Sequence, residues 1–446
     1  MVAGDVMAAL GSVCSDVRPG KEADAVSGVT PAAVAAPASV EEASALLRAA
    51  GEHDLAVVPR GAGSKLAWGM PPQRCDVVVD TTQLDRIIDH ASGDLVVRAQ
   101  AGVPVQDLQA ELSRAGQQLA LDAPGGSSAF PGTIGGLIAT GMAGPRRLRY
   151  GAPRDLLIGI TVVLADGTVA SSGGKVVKNV AGYDLGKLFA GSRGTLGLIA
   201  EATFRLHPVP QDTAYVTLPC DGAAAAAEAV RAAMGTQLAP SAVEVDAPSR
   251  GAPVTVAVLL EGRRDAVAER SAKMRETLAA AAADRPGRAA RAAEVSAAAP
   301  DWWNRGTAGA DGTLLQVAYP PAALRDVLDA IDSAAESAGK IEPVVRGSAG
   351  MGVLAVGLDA AAYPARLDAS AVPAVAAEFV TNLRRLIAQH GRDLPGGTVT
   401  VVHAPPEVRD HVDMIGPVPA LALMQAVKDQ FDPRHLMAPG RLTGGI

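Results

Sequence analysis

The chain has 446 residues, 48% of them hydrophobic, and a formal net charge of −7 at neutral pH. This length allows two or three domains with well-filled cores, and the acidic balance without a dense lysine or arginine run argues against nucleic-acid binding. The three cysteines form no CxxC pair, which argues against an iron–sulfur cluster or a structural zinc in this chain and favours a reducing compartment.

The first predicted unit alternates strands with a helix. An extended run at residues 34–37 precedes a helix capped by Ser39, and Glu42 three residues later completes a capping-box pattern. Apolar runs at 55–58 and 77–79 predict two buried strands. Residues 1–29 are expected to form an N-terminal extension.

The sequence pattern changes over residues 95–204, where glycine turns become frequent. Short β-rich runs alternate with turns such as 166–167, and one helix is predicted at 105–115. The pattern indicates an α+β domain over residues 30–210, built as two lobes at about 30–90 and 91–210.

Beyond the prolines of residues 208–210 the glycine-rich segments fade and a second domain is predicted over 211–403. Strands at 254–260, 314–319 and 353–356 alternate with helices at 263–283 and 322–338. Two β-α-β halves of this kind predict a ferredoxin-like α+β cap domain. We expect residues 284–312, rich in alanine and arginine, to form a mobile excursion.

Four glycine clusters fall in the first domain. The loop PRGAGSK at 59–65 follows a predicted strand, and its two glycines allow positive φ angles that turn the amides inward as an anion nest. PGTIGG at 131–136 opens an apolar segment, as if a helix N-terminus were aimed at a phosphate. With the clusters at 173–174 and 191–197, the pattern favours a dinucleotide ligand over four unrelated turns, although neither a Rossmann nor a Walker motif is present.

The order of these segments resembles a known family. PRGAGS, PGTIGGLIATG, RYGAPRDLLIGITVVLADGTV and GYDLGKLFAGSRGTLGLI follow one another as in the FAD-binding domain of the vanillyl-alcohol oxidase (PCMH-type) family. FDPRHLMAPGR is similar to the tail by which such chains return to the flavin domain, which implies that residues 404–446 pack there. More narrowly, ATGMAGPRR at 139–147 and GGKVVKNVAGYD at 173–184 resemble the FAD-binding (E) subunit of bacterial glycolate oxidase.

The resemblance implies FAD contacts along the phosphate loop, the flavin wall and the adenine end. The implied cofactor-binding residues are Pro59, Arg60, Gly61, Ala62, Gly63, Ser64, Gly125, Ser127, Thr133, Ile134, Gly135, Gly136, Thr140, Gly141, Arg149, Tyr150, Gly151, Arg154, Asp155, Gly194, Gly197, Leu198 and Ile199. Ser64 stands where covalent members carry a histidine, so FAD is expected to be non-covalent. Arg193 replaces a glutamate of the common pattern, and we expect it to face the surface, the alternative being an added positive charge near a flavin phosphate.

Three residues are candidates for catalysis. Lys178 and Tyr183 lie in the flavin-domain signature, where a cation would stabilise anionic reduced flavin; packing is the alternative role for Tyr183. His403 ends the predicted strand 397–403 and is either a substrate base or a solvent-facing histidine. The seven histidines show no ligand spacing, so no metal site is predicted.

Three functions remain open at this point. The first is the FAD-binding subunit of a glycolate (2-hydroxyacid) oxidase/dehydrogenase complex in glycolate catabolism, working beside a catalytic flavin subunit and an iron–sulfur subunit. In it the bound flavin either oxidises the substrate or relays electrons to the iron–sulfur partner. The second is a stand-alone FAD oxidoreductase for a small hydroxyacid or alcohol, and the third is a non-catalytic flavin-binding subunit. No signal peptide or membrane-spanning run is recognised, so we expect a cytoplasmic protein that reaches the inner membrane face only through partners. Trp302 and Trp303 are expected at a partner contact.

Overall fold

The computed structural model describes residues 3–122, 132–174, 183–283, 292–390 and 396–446. The helices of these residues are α1 Ala3–Gly11, α2 Val40–Glu52, α3 Val105–Arg114, α4 Ile134–Thr140, α5 Arg147–Tyr150, α6 Pro153–Leu156, α7 Ala223–Met234, α8 Arg264–Ala283, α9 Leu324–Ser337, α10 Val372–His390, α11 Pro406–Arg409 and α12 Leu421–Phe431. The strands are β1 Val17–Pro19, β2 Ala33–Ala35, β3 Val57–Arg60, β4 Val77–Asp80, β5 Ile87–Ala91, β6 Val96–Gln100, β7 Gln117–Gln118, β8 Leu157–Val163, β9 Val169–Gly173, β10 Leu198–Arg205, β11 His207–Pro208, β12 Asp212–Cys220, β13 Ala242–Ala247, β14 Val254–Gly262, β15 Glu294–Ser296, β16 Thr313–Ala318, β17 Val344–Ser348, β18 Val353–Leu358 and β19 Thr398–His403.

The first sheet has the strand order β1-β2-β4-β3, with β2 and β3 parallel to β4. Helix α2 packs the buried Leu46 and Leu47 against it, and the Ser39 hydroxyl accepts a hydrogen bond from Glu42 N at 3.1 Å, as the capping pattern predicts. Residues 1–29 are more than an extension, because β1 pairs with β2 as an edge strand. A three-residue strand leaves too little periodicity in the sequence to be recognised.

The second sheet is antiparallel, with the order β5-β6-β10-β8-β9. Helices α3 and α4 bury Leu108, Leu112 and Ile138 against it. Val163 and Leu198, from β8 and β10, also belong to the core beneath the first sheet. The two lobes therefore share apolar packing.

The cap contains an eight-stranded antiparallel sheet, ordered β15-β12-β14-β13-β17-β18-β16-β19. Each half follows the β-α-β-β-α-β order of a ferredoxin-like unit, and β13 and β17 join the two halves. Helices α7 to α10 cover one face, where alternate strand residues such as Val256 and Val356 form the core.

The region predicted as a mobile excursion is in part regular structure. Residues 284–291 lie outside the described residues, but β15 pairs with β12 at the sheet edge. The Trp303 ring lies edge-on against Tyr215 of β12, with ring centroids 5.0 Å apart, and Trp302 lies 5.9 Å from Trp303. Trp303 thus packs in part against its own chain and is half-buried, and the partner contact expected for the two tryptophans stays a prediction.

The C-terminal tail returns to the first sheet, as the resemblance implies. Val57 N donates to Leu436 O at 2.8 Å and Ala438 N donates to Val57 O at 2.7 Å, so the tail continues β3's open edge in parallel. Lys428 of α12 is fully buried and donates to Thr195 O at 2.7 Å, Met437 O at 2.9 Å and the Asp432 carboxylate at 2.5 Å.

Candidate functional site

The glycine loop after β3 presents an open row of backbone donors. Among the described residues, the amides of Gly61, Ala62, Gly63 and Ser64 donate to no acceptor. Gly63 has φ +74°, in the region that favours glycine, and a Cβ on Gly61 would lie 2.1 Å from Thr133 Oγ1. Backbone N–H groups that converge in this way form an anion nest.

The Arg60 guanidinium is already neutralised by two carboxylates. It pairs with Asp24 at 3.0 Å and with Asp80 at 2.8 Å. Arg18 and Arg60 together hold the pKa of Asp24 well below its usual range. Arg60 therefore fastens the N-terminal segment to β4.

The start of α4 is closed, in contrast to the expectation of a helix N-terminus aimed at phosphate. Ile134 N donates to Val103 O at 3.0 Å, Gly135 N to Ala101 O at 2.7 Å, and Gly136 N to Thr133 Oγ1 at 3.3 Å. A Cβ on Gly135 would lie 2.8 Å from the Ala101 Cβ. This glycine pair thus serves close packing of α4 on the chain after β6, and that expectation is corrected.

A cleft with a volume of about 100 Å³ lies over the nest. Predicted residues that line it are Pro59, Arg60, Gly61, Ala62, Gly63, Ser64, Thr133, Gly136, Thr140 and Gly194. It is also lined by residues outside the predicted cofactor-binding set: Val58, Lys65, Leu66, Trp68, Gly132, Leu137, Ala139, Met142, Arg193 and Arg441. The part of this lining that the structure describes includes no carboxylate.

Three cationic side chains reach the cleft. Burial lowers the pKa of Lys65 to about 8, and its ammonium lies 4.9 Å from the centre of the Trp68 ring. Burial also lowers the pKa of Arg193 and takes that of Arg441 to about 10. Arg193 lines the cleft instead of facing the surface. The position of Arg193 inside a glycine cluster was the sequence signal that could have placed it in the cleft. For Arg441 the only such signal was its position in the tail motif.

The other predicted cofactor residues lie elsewhere in the described structure. Tyr150 donates a 3.2 Å hydrogen bond to Glu261 of the cap, and Arg149 stacks on the Tyr150 ring. The Asp155 carboxylate accepts from Ala152 N at 2.8 Å. The predicted residues absent from the cleft lining are Ile134, Gly135, Gly141, Arg149, Tyr150, Gly151, Arg154, Asp155, Gly197, Leu198 and Ile199. Gly125 and Ser127 lie outside the described residues.

The candidate catalytic residues are spread over different environments. Lys178 lies outside the described residues, and Tyr183 is 92% exposed. His403 sits where the cap meets the loop after the nest: its Nε2 lies 2.7 Å from Ala310 O and its Nδ1 lies 3.3 Å from Ala67 O. A bridge between two carbonyl oxygens favours a positioning role, and the catalytic assignments of all three residues stay predictions.

Neither a metal cluster nor a membrane span is found in the part of the chain that the structure describes. No group of three or more histidine, cysteine, aspartate or glutamate side chains is placed to hold a metal ion. No helix is both long and apolar enough to cross a bilayer.

Two family models match the chain. Residues 31–173 match the FAD binding domain, and residues 209–442 match the C-terminal domain of FAD linked oxidases. The glycolate oxidase subunit GlcD of Bacillus subtilis is 36% identical over 220 residues, which are 49% of this chain and 46% of that protein. The D-lactate dehydrogenase of Archaeoglobus fulgidus is 36% identical over 186 residues, 42% and 41% of the two chains. The D-2-hydroxyglutarate dehydrogenase of Xanthomonas citri pv. viticola is 35% identical over 191 residues, 42% and 40%. The matches thus span less than half the length of these relatives.

Solved structures share the fold over nearly the whole chain. A p-cresol methylhydroxylase structure superposes with a TM-score of 0.73 at 14% identity, covering 98% of this chain and 96% of that one. An alkyldihydroxyacetonephosphate synthase gives 0.69 at 15% identity, covering 98% and 84%. With the C-terminal family model covering more than half of the sequence, the chain belongs to the FAD-linked oxidases.

Proposed function

We propose that this chain is the FAD-binding subunit of a glycolate (2-hydroxyacid) oxidase/dehydrogenase complex. The observation that carries the cofactor part of this proposal is the nest of four amides, which find no acceptor among residues 3–122, 132–174, 183–283, 292–390 and 396–446 and face a cleft with a cationic lining. These residues fit the diphosphate of a dinucleotide, because amide donors and cations can neutralise its negative charge. Gly61 allows the loop to pack closely, since a Cβ there would clash with Thr133. Ser64 supports non-covalent binding.

FAD, when bound, supplies a hydride acceptor for oxidation of a small hydroxyacid. The Gly61–Ser64 amides would hold the diphosphate, and the Lys65 ammonium would add positive charge beside it. His403 would keep the cap strand β19 against the loop that follows the nest. The proposed substrate class follows the names of the relatives. The proposed partners are a catalytic flavin subunit and an iron–sulfur subunit, and they follow the resemblance to the glycolate oxidase E subunit.

A stand-alone FAD oxidoreductase is the second candidate. A non-catalytic flavin-binding subunit is the third.

Purified protein separates these functions. The chain is reconstituted with FAD and mixed anaerobically with glycolate or D-lactate, alone and with the proteins that co-purify from its own cells. Bound flavin that is bleached only in the assembled complex supports the proposal. Bleaching of the isolated chain supports the second candidate. Flavin that stays oxidised within a complex that turns over supports the third, and failure to bind FAD contradicts all three.

A further inference from the structure

The cleft over the nest has an unbalanced charge. Lys65, Arg193 and Arg441 reach it from three separate segments, and no aspartate or glutamate is found among the described residues that line it. Arg441 is close enough to Arg193 that their repulsion adds to the lowering of the Arg441 pKa. Like charges that share a half-buried site call for an anion, because burial removes the water that would otherwise stabilise them.

Arg441 already has a structural task. Its guanidinium donates to Leu66 O at 2.8 Å, Trp68 O at 2.7 Å and Met70 O at 2.9 Å. One tail side chain thus satisfies three carbonyls of the loop that leaves the nest. Arg441 is a positioning residue for this loop.

Arg193 is held differently. Its amide donates to Ala139 O at 2.8 Å, and the adjacent Gly194 packs on Pro59 at the end of β3. Its backbone has φ +53°, a conformation uncommon for arginine. The turn therefore fixes Arg193 between α4 and the nest.

The Arg193 guanidinium lies against the backbone of Gly69, where a Cβ would come within 1.9 Å of Nη1. Within the described ranges, this guanidinium forms no hydrogen bond or ion pair. Arg193 and Arg441 both line the cleft without a carboxylate partner among the described residues. The donors of Arg441 are taken by backbone carbonyls, whereas those of Arg193 are not.

We propose that Arg193 binds a phosphate of the bound dinucleotide and sets the affinity of this chain for FAD. This inference rests on the proposed function. A guanidinium can give two parallel N–H donors to one phosphate, which matches its planar fork to the ligand's oxygen atoms.

FAD titration of the apoprotein, followed by flavin fluorescence, tests this role. Arg193→Gln is expected to weaken FAD binding about 10- to 100-fold, the range of one charge-assisted hydrogen bond. Arg193→Lys keeps the charge without the planar fork, so its FAD affinity should fall between those of wild type and Arg193→Gln. Arg231→Gln, on the exposed face of α7, makes the same charge change away from the cleft and should leave binding unchanged.

Salt separates charge from packing. The ratio of the Arg193→Gln and wild-type Kd values should shrink as sodium chloride rises from about 50 to about 500 mM, because screening weakens a charge–phosphate contact. A Kd within about twofold of wild type in Arg193→Gln, or a loss that is the same at both salt concentrations, overturns the inference. If Arg193→Gln does not fold, Arg193→Lys decides: unchanged binding at both salt concentrations overturns it. Wild-type protein that binds no FAD refutes the proposed function instead.

Discussion

Single residues decide whether the first loop can hold a phosphate. Gly61 and Gly63 belong to the same PRGAGS motif, yet they are required for different reasons. Gly61 leaves room for the Thr133 hydroxyl, whereas Gly63 supplies a positive φ and has only the Arg60 Cδ, at 3.8 Å, near its missing Cβ. A side chain at Gly61 would therefore overlap with Thr133 inside the protein. A side chain at Gly63 would instead interfere with the ligand.

Gly63→Ala is expected to lower FAD affinity by at least about tenfold while the apoprotein loses only about 1–2 kcal/mol of stability, the cost of a left-handed alanine. The added methyl group would project into the space where the diphosphate is expected. FAD titration and chemical denaturation of the apoprotein measure the two effects. Gly28→Ala is the matched control, since Gly28 has φ +92° and open space around its missing Cβ. Equal FAD affinity in the Gly63 and Gly28 variants would show that the nest does not bind the cofactor.

At the scale of elements, the tail is fixed by a buried ion pair. Both side chains of Lys428 and Asp432 are fully buried. The Asp432 carboxylate also accepts from Leu436 N at 3.0 Å and Met437 N at 2.7 Å. The pair thus turns the chain after α12 toward β3, which places Arg441 beside the cleft.

Lys428→Met should destabilise the protein by about 3–5 kcal/mol, because it leaves the Asp432 carboxylate buried without its cation. The urea dependence of unfolding measures this loss. Lys273→Met removes an exposed i,i+4 partner of Glu269 on α8 and should cost less than about 1 kcal/mol. Similar losses in both variants would argue against a structural role for the buried pair.

At the scale of the whole molecule, buried charges join the flavin domain to the cap. Arg146 pairs with Asp122 at 2.6 Å and approaches Glu261 of β14 at 3.8 Å. Glu244 of β13 is 5% exposed, and its Oε1 has no partner among the described residues. Ser348 faces it from β17 without a well-formed hydrogen bond. Burial raises the pKa of Glu244 to about 8, while nearby Arg147 acts in the opposite direction.

The interface should therefore weaken as pH rises from about 4.5 to about 8. Glu244 binds its proton more tightly in the folded state than at its ordinary pKa of 4.5, so the folded state holds more protons between pH 4.5 and about 8. The free energy of unfolding should fall as pH rises through this window. Denaturant titrations at several pH values are expected to show a smaller fall in Glu244→Gln than in wild type. The exposed Glu407→Gln should retain the wild-type slope, and an unchanged slope in Glu244→Gln would contradict a neutral Glu244.

Much of the secondary structure was accessible from sequence, because long periodic segments carry their own signal. Predicted helices at 105–115 and 263–283 lie within a residue of α3 and α8. The cap was underestimated as a single ferredoxin-like domain, since β13 and β17, whose pairing joins its two units, were not recognised. Short edge strands such as β1 and β15 depend on their partners for existence and leave little local pattern.

The sequence by itself determined the family, the nest-forming loop and the return of the tail, because glycine positions, turn residues and segment order are local properties of the chain. Only the tertiary structure decided which donors are open. The α4 amides are taken by Ala101, Val103 and Thr133, whereas those of Gly61–Ser64 remain without acceptors in the described structure. The tertiary structure also brought Arg193 and Arg441 to one cleft from positions far apart in the chain. Hydrogen-bond competition and charge proximity depend on distances between remote segments, and no local pattern encodes them.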